Sequence, residues 1–144
     1  MDGLDGIINP MPKNEKLKEA ISSLLAYILS IYYLQTTDAS EPLEKSFEKL
    51  KKEVENYEMK IITRYEIYEI NLKKYVEEKR LEGILKQAIN LGRPYNIMQP
   101  RDKNYDFIRF VIRERKYLDR LFEEINEKYG LEDKIIGFTI VVQY

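Results

Sequence analysis

The chain has 144 residues (17.3 kDa), with 24 basic and 25 acidic side chains for a net charge of −1, and it contains no cysteine, histidine or tryptophan. That composition excludes disulfides, thiolate nucleophiles, the usual zinc sites and every acid–base scheme built on imidazole. With 44% hydrophobic and 34% charged residues it suits one soluble globular domain, large enough to bury a core without covalent staples.

Lys, Glu, Ile and Tyr are abundant, and with Cys and His missing the composition resembles that of hyperthermophile proteins, as in an archaeon or one of its viruses. The start, "MDGLDGIINPMP", carries two acids, two glycines and two prolines and no basic region, so it is not a secretory signal. Residues 1–12 read as a flexible arm, in which Leu4, Ile7 and Ile8 are expected to pack loosely on the protein itself, with docking on a neighbour as the alternative. Residues 13–144 read as a single globular domain, and cytoplasmic placement is the expectation.

From Asn14 to about Leu34 the pattern is helical. Its continuous apolar part, Ala20 to Leu34, is shorter than the roughly 20 residues needed to span a bilayer and contains serines, so a core helix is expected and no membrane. Leu17, Ile21, Leu24, Ile28, Ile31 and Tyr32 share one face. Ser22, Ser23, Ala26 and Ser30 form a small-residue strip opposite, suited to a second helix or to a second protein molecule.

"QTTDASEP" ends that helix and starts another, with Ser40 as N-cap and Pro42 in the first turn. Between Leu43 and Arg80 no Gly or Pro interrupts, and two readings compete. A spacing of three or four from Leu43 to Tyr75 suits one long helix over 43–80. Against it, "YEMKIITRYEI" is rich in β-branched and aromatic residues and alternates as a strand does.

The C-terminal "KIIGFTIVVQY" favours the second reading. An isolated strand would leave its backbone groups unpaired, and the only other strand-like stretch is 57–67. The fold class expected is therefore α+β, mainly α: about four helices with a small two-stranded sheet pairing 57–67 with 134–143. The alternative is all-α, with the last strand pairing in another chain.

A helix over about 71–90 follows, with Leu72, Val76, Leu85, Ala88 and Ile89 as core and Gly92 as C-cap. The loop "RPYNIMQPRDKN" is long and proline-stiffened, which marks it as functional. The last helix, about 103–129, turns Phe107, Val111, Leu118, Leu121, Phe122, Ile125 and Tyr129 inward. Arg109, Arg113, Lys116 and Arg120 then share a face about 60° wide. These cations precede Glu123, Glu124 and Glu127, against the helix dipole. Glu114 falls inside the apolar stripe, where a carboxylate must be paired, with an arginine or a tyrosine hydroxyl of a neighbouring helix as the expected partner.

Residues 73–120 hold 13 basic and 7 acidic side chains, a local charge of +6 in a chain of −1. The candidate surface for a partner or for phosphate is therefore Arg93, Tyr95, Arg101, Lys103, Arg109, Arg113, Lys116 and Arg120. No Walker loop, dinucleotide fingerprint, nucleophile elbow or metal spacing is present, so no catalytic residue, metal or cofactor is expected.

The function expected is a non-enzymatic binding or assembly module that docks on a larger protein or nucleoprotein machine. The alternatives are a nucleic-acid-backbone-binding subunit, an inhibitor of a host nucleic-acid enzyme, and a carboxylate-metal nuclease. Size, composition and charge map are similar in kind to small subunits of CRISPR effectors and viral inhibitors of host RNA polymerase, a likeness that no motif carries. The small-residue strip and the C-terminal strand also suggest self-association.

Overall fold

The computed structural model describes residues 3–37, 40–91 and 106–143. Along the chain run β1 (Ile8–Asn9), α1 (Glu15–Thr36), α2 (Leu43–Val54), β2 (Tyr57–Thr63), β3 (Ile67–Ile70), α3 (Leu72–Ala88), a 3₁₀ turn (Ile89–Leu91), α4 (Phe107–Arg113), α5 (Arg115–Tyr129) and β4 (Ile135–Val142). The fold is α+β and mainly helical. Its sheet is antiparallel, four-stranded rather than two-stranded, in the order β1-β3-β2-β4.

The expected pairing of the middle and C-terminal stretches is present, with Ile61 opposite Phe138 and Tyr57 opposite Val142. The stretch 57–67 itself is not one strand. Thr63 N–H bonds the Glu66 carbonyl at 2.9 Å, turning the chain so that β3 folds back on β2. The long helix over 43–80 is thereby excluded.

The N-terminal segment, read as an arm, lies on the fold. Ile8 pairs with Ile70, Asn71 N–H bonds the Ile7 carbonyl at 2.9 Å, and Leu4, Ile7 and Ile8 are buried. Three apolar side chains in such a short segment gain roughly 1.5–3 kcal/mol each on burial, enough to offset ordering part of an otherwise loop-like stretch.

The centre of the molecule is α1. Asn14 caps it, its Oδ1 accepting from Lys16 N–H at 2.8 Å. By length and composition α1 could cross a membrane, yet 78% of its most apolar window is buried inside the fold. The small strip does not wait for another molecule. Tyr75 of α3 donates to the Ser22 carbonyl at 2.7 Å, and Ser23, fully buried, meets Tyr129 of α5 at 2.8 Å and Gln87 of α3 at 3.0 Å. The small side chains let α3 and α5 come close enough for these hydroxyl contacts.

Two local expectations shift. The second helix starts at Leu43 with Pro42 in the N-cap position, so Ser40 does not cap it. In α3, Leu72, Val76 and Ala88 are buried as expected, but Leu85 is half-buried and Ile89 exposed, and Leu81 and Ile84 fill the core instead. Arg80 explains the change of phase. Its φ of 59° and ψ of 175° are not helical, so the periodicity restarts after it. Its guanidinium lies over the Phe47 ring at 4.5 Å. The C-cap role of Gly92 falls outside the described residues.

One face of the sheet packs on the helices through Met59, Ile61, Tyr68, Ile70 and Phe138. The alternate positions, Glu58, Lys60, Glu69, Thr139 and Val141, form the opposite face, as the two-residue period of strands requires.

Candidate functional site

The last helical segment is built from its N-terminus. Asp106 caps α4, its Oδ1 accepting from Arg109 N–H at 2.9 Å. Phe107 is fully buried, its ring edge-on to Tyr32 at 5.3 Å and 5.6 Å from Tyr57. Glu53, at the end of α2, accepts from Phe107 N–H at 3.0 Å and from the Tyr57 hydroxyl at 3.3 Å. Burial first, and then the Glu53 carboxylate, pushes the Tyr57 phenol up to about 12 and raises that of Tyr32 as well. Both phenols thus stay protonated, and that of Tyr57 donates to Glu53.

The single helix expected over 103–129 is two. At Glu114 the backbone (φ −94°, ψ 11°) leaves the helical region, ending α4 and starting α5. The Glu114 N–H still bonds the Phe110 carbonyl at 2.9 Å and its carbonyl accepts from Leu118 at 2.9 Å, so the chain bends without separating. Glu114 is paired, but with its own chain neighbour Arg113 at 3.2 Å rather than with a side chain of another helix.

The four cations of the stripe fall on both sides of this break, Arg109 and Arg113 in α4 and Lys116 and Arg120 in α5. Arg113 now sits in the last turn of α4, the end where a cation is favoured. Its Nη2 donates to Gln35 of α1 at 2.9 Å, holding α4 to the core. Arg109 lies 3.7 Å from Asp106, mostly exposed. Lys116 and Arg120 are exposed, and among the described residues neither makes an ion pair. Arg93, Tyr95, Arg101 and Lys103 lie outside the described residues.

Two side chains that periodicity did not single out organise this region. Arg115 stacks over the Phe138 ring at 4.7 Å, donates to the Phe138 carbonyl at 3.4 Å and pairs with Asp119 at 3.4 Å. Ile112, one helical turn after Arg109 and one before Lys116, is 71% exposed. An isoleucine among cations was visible in the sequence as a break in the polar face, and it is the signal the charge pattern obscured.

A second feature is an open groove of about 750 Å³ at the end of the sheet, lined among others by Glu55, Glu58, Glu69, Asn71, Lys73 and Gln143. Glu55 is bridged to Lys73 at 3.4 Å. Among the described residues no three carboxylates converge closely enough to hold a metal ion. No family model, curated protein or solved structure matches the chain.

Proposed function

We propose that the chain is a non-enzymatic binding and assembly module, which docks on a larger protein or nucleoprotein machine through the outer face of α4 and α5. Ile112 carries this reading. Covering an isoleucine that is now 71% exposed would contribute about 1–2 kcal/mol. Exposed cations around an apolar centre are the layout of a protein interface, in which the centre supplies affinity and the charged rim steers the encounter.

Arg109, Lys116 and Arg120 are that rim, and Arg113 supports α4 from behind. Replacing Arg109, Lys116 and Arg120 together with Glu, and separately Ile112 with Asp, tests the assignment in affinity capture from cell extract with and without nuclease. Retention of the same protein after nuclease treatment, lost in both variants at unchanged melting temperature, is the expected result. Capture that vanishes with nuclease would instead assign the face to nucleic acid. Capture unaffected by either variant would remove this face from consideration.

A further inference from the structure

β4 is an edge strand of eight residues, "IIGFTIVV", with no charged side chain and no proline, the features that ordinarily stop an edge from pairing. One end of it is closed. Ile136 forms the bulge at the register shift, Asn126 of α5 bonds both backbone groups of Ile135 at 2.9 and 2.8 Å, and Arg115 takes the Phe138 carbonyl.

The other end is open. Gln143 N–H bonds the Asn56 carbonyl at 2.7 Å, and antiparallel ladders alternate, so Thr139 and Val141 bond β2 while Ile140 and Val142 turn their N–H and C=O outward. Among the described residues nothing bonds those groups.

Alongside this edge runs α4. Its start is tied to Tyr57, opposite Val142, and the chain just past its end is tied by Arg115 to Phe138. Ile108 and Ile112 lie one turn apart within α4, and Arg115, just past the break at Glu114, reaches the Phe138 carbonyl on the edge. A strand added there would hydrogen-bond Ile140 and Val142. Its residue opposite Ile140 would point to the helix side of the sheet, the side on which α4 lies. Arg109 lies in the first turn of α4, whose start is tied to Tyr57 opposite Val142, and Lys116 and Arg120 follow Arg115, which holds the Phe138 end.

We infer that β4 and α4 together accept an extended segment of a partner protein, apolar at alternate central positions and acidic at both ends, added as a fifth strand of the sheet. The inference deepens the proposed docking function and rests on it. Charge selects the occupant. A second copy pairing β4 with β4 would set two α4 helices side by side on one sheet face, bringing Arg109, Arg115, Lys116 and Arg120 of both chains together. An acidic-ended segment meets those cations with opposite charge.

The test uses two fluorescein-labelled probe peptides of nine residues. Both carry the core Val-Thr-Val-Thr-Val, one between Asp-Glu and Glu-Asp ends, the other between pairs of lysines. Anisotropy should show the acidic-ended peptide binding at least about tenfold more tightly than the lysine-ended one at low salt. Ile140→Pro should weaken it by about tenfold or more, since a proline whose N–H would face outward leaves the β2 ladder intact. Ile112→Asp, at an exposed position, is the second variant should Ile140→Pro melt early.

Equal binding of the two peptides, or binding of neither, would overturn the inference. Loss of binding on Arg109→Glu with Lys116→Glu but not on Ile140→Pro would leave the docking face standing and remove the added strand. The converse would keep the strand and remove the basic face. Dimerisation of the free protein that is abolished by Ile140→Pro would make a second copy the occupant and overturn the choice of partner.

Discussion

Asn126 offers the sharpest check on how β4 is held. Its side-chain amide acts as a short stand-in strand: Oδ1 accepts from Ile135 N–H at 2.9 Å and Nδ2 donates to the Ile135 carbonyl at 2.8 Å. Ile135 is 1% exposed, so in Asn126→Ala both of its backbone groups lose partners in a place water reaches poorly. Each lost bond costs about 1 kcal/mol, and an orphaned buried group adds more, giving about 2–3 kcal/mol in all. For a chain of 144 residues the unfolding entropy is about 0.3 kcal/mol/K, so the melting temperature should fall by about 7–10 °C.

Asn126→Asp separates the two bonds. The carboxylate still accepts from Ile135 N–H but sets a negative oxygen against the Ile135 carbonyl, so this nearly isosteric change should destabilise at least as much as alanine. Urea unfolding of the three proteins, with amide exchange at Ile135, makes the measurement. A loss below about 0.5 kcal/mol in Asn126→Ala, with exchange at Ile135 unchanged, would refute the role assigned to this side chain.

At Arg80, where φ is 59°, glycine adopts the backbone without strain and alanine does not. Both replacements lose the stacking on Phe47, so Arg80→Gly should be more stable than Arg80→Ala by about 1–2 kcal/mol in urea unfolding, the reverse of the ordinary helix order. Gly130 closes α5 in the left-handed region (φ 58°), with nothing within 4 Å of an added Cβ. Gly130→Ala should therefore cost about 1 kcal/mol of backbone strain alone; a neutral result by thermal unfolding would contradict the left-handed cap. Burial raises the phenols of Tyr32, Tyr57, Tyr68 and Tyr75, Tyr57 to about 12 from an ordinary 10.0. Above pH 10 the unfolded chain releases these protons while the folded one keeps them, so stability is full below 10 and falls as pH rises toward 12. Melting temperature followed with phenolate absorbance checks this, and a flat profile over that interval would contradict the burial of these hydroxyls.

Much of the fold was legible because it is local. The helical start at Asn14, the apolar content of α1 and the inward residues of α5 follow from helical period, which neighbours in sequence specify. The β2–β4 pairing was also recoverable, by elimination, because an unpaired strand has nowhere to put its hydrogen bonds. The absent chemistries follow from composition alone.

What only the tertiary structure decided is non-local. A two-residue strand such as β1 has no signature of its own; it exists because β3 offers an edge and the core has room for Leu4, Ile7 and Ile8. The breaks at Arg80 and Glu114 are single-residue departures that periodicity reads straight through; the one at Arg80 resets which side chains face inward, whereas the inward set Phe107, Val111, Leu118, Leu121, Phe122 and Ile125 runs on across Glu114.

The basic stripe shows the consequence. A pattern counted at 100° per residue put four cations on one face. The break at Glu114 divides them between α4 and α5, Gln35 holds Arg113, and Ile112 stands exposed in α4 between Arg109 and Arg113. A helical sequence specifies which residues share a face, whereas the packing of the rest of the chain decides where that face bends and what it meets.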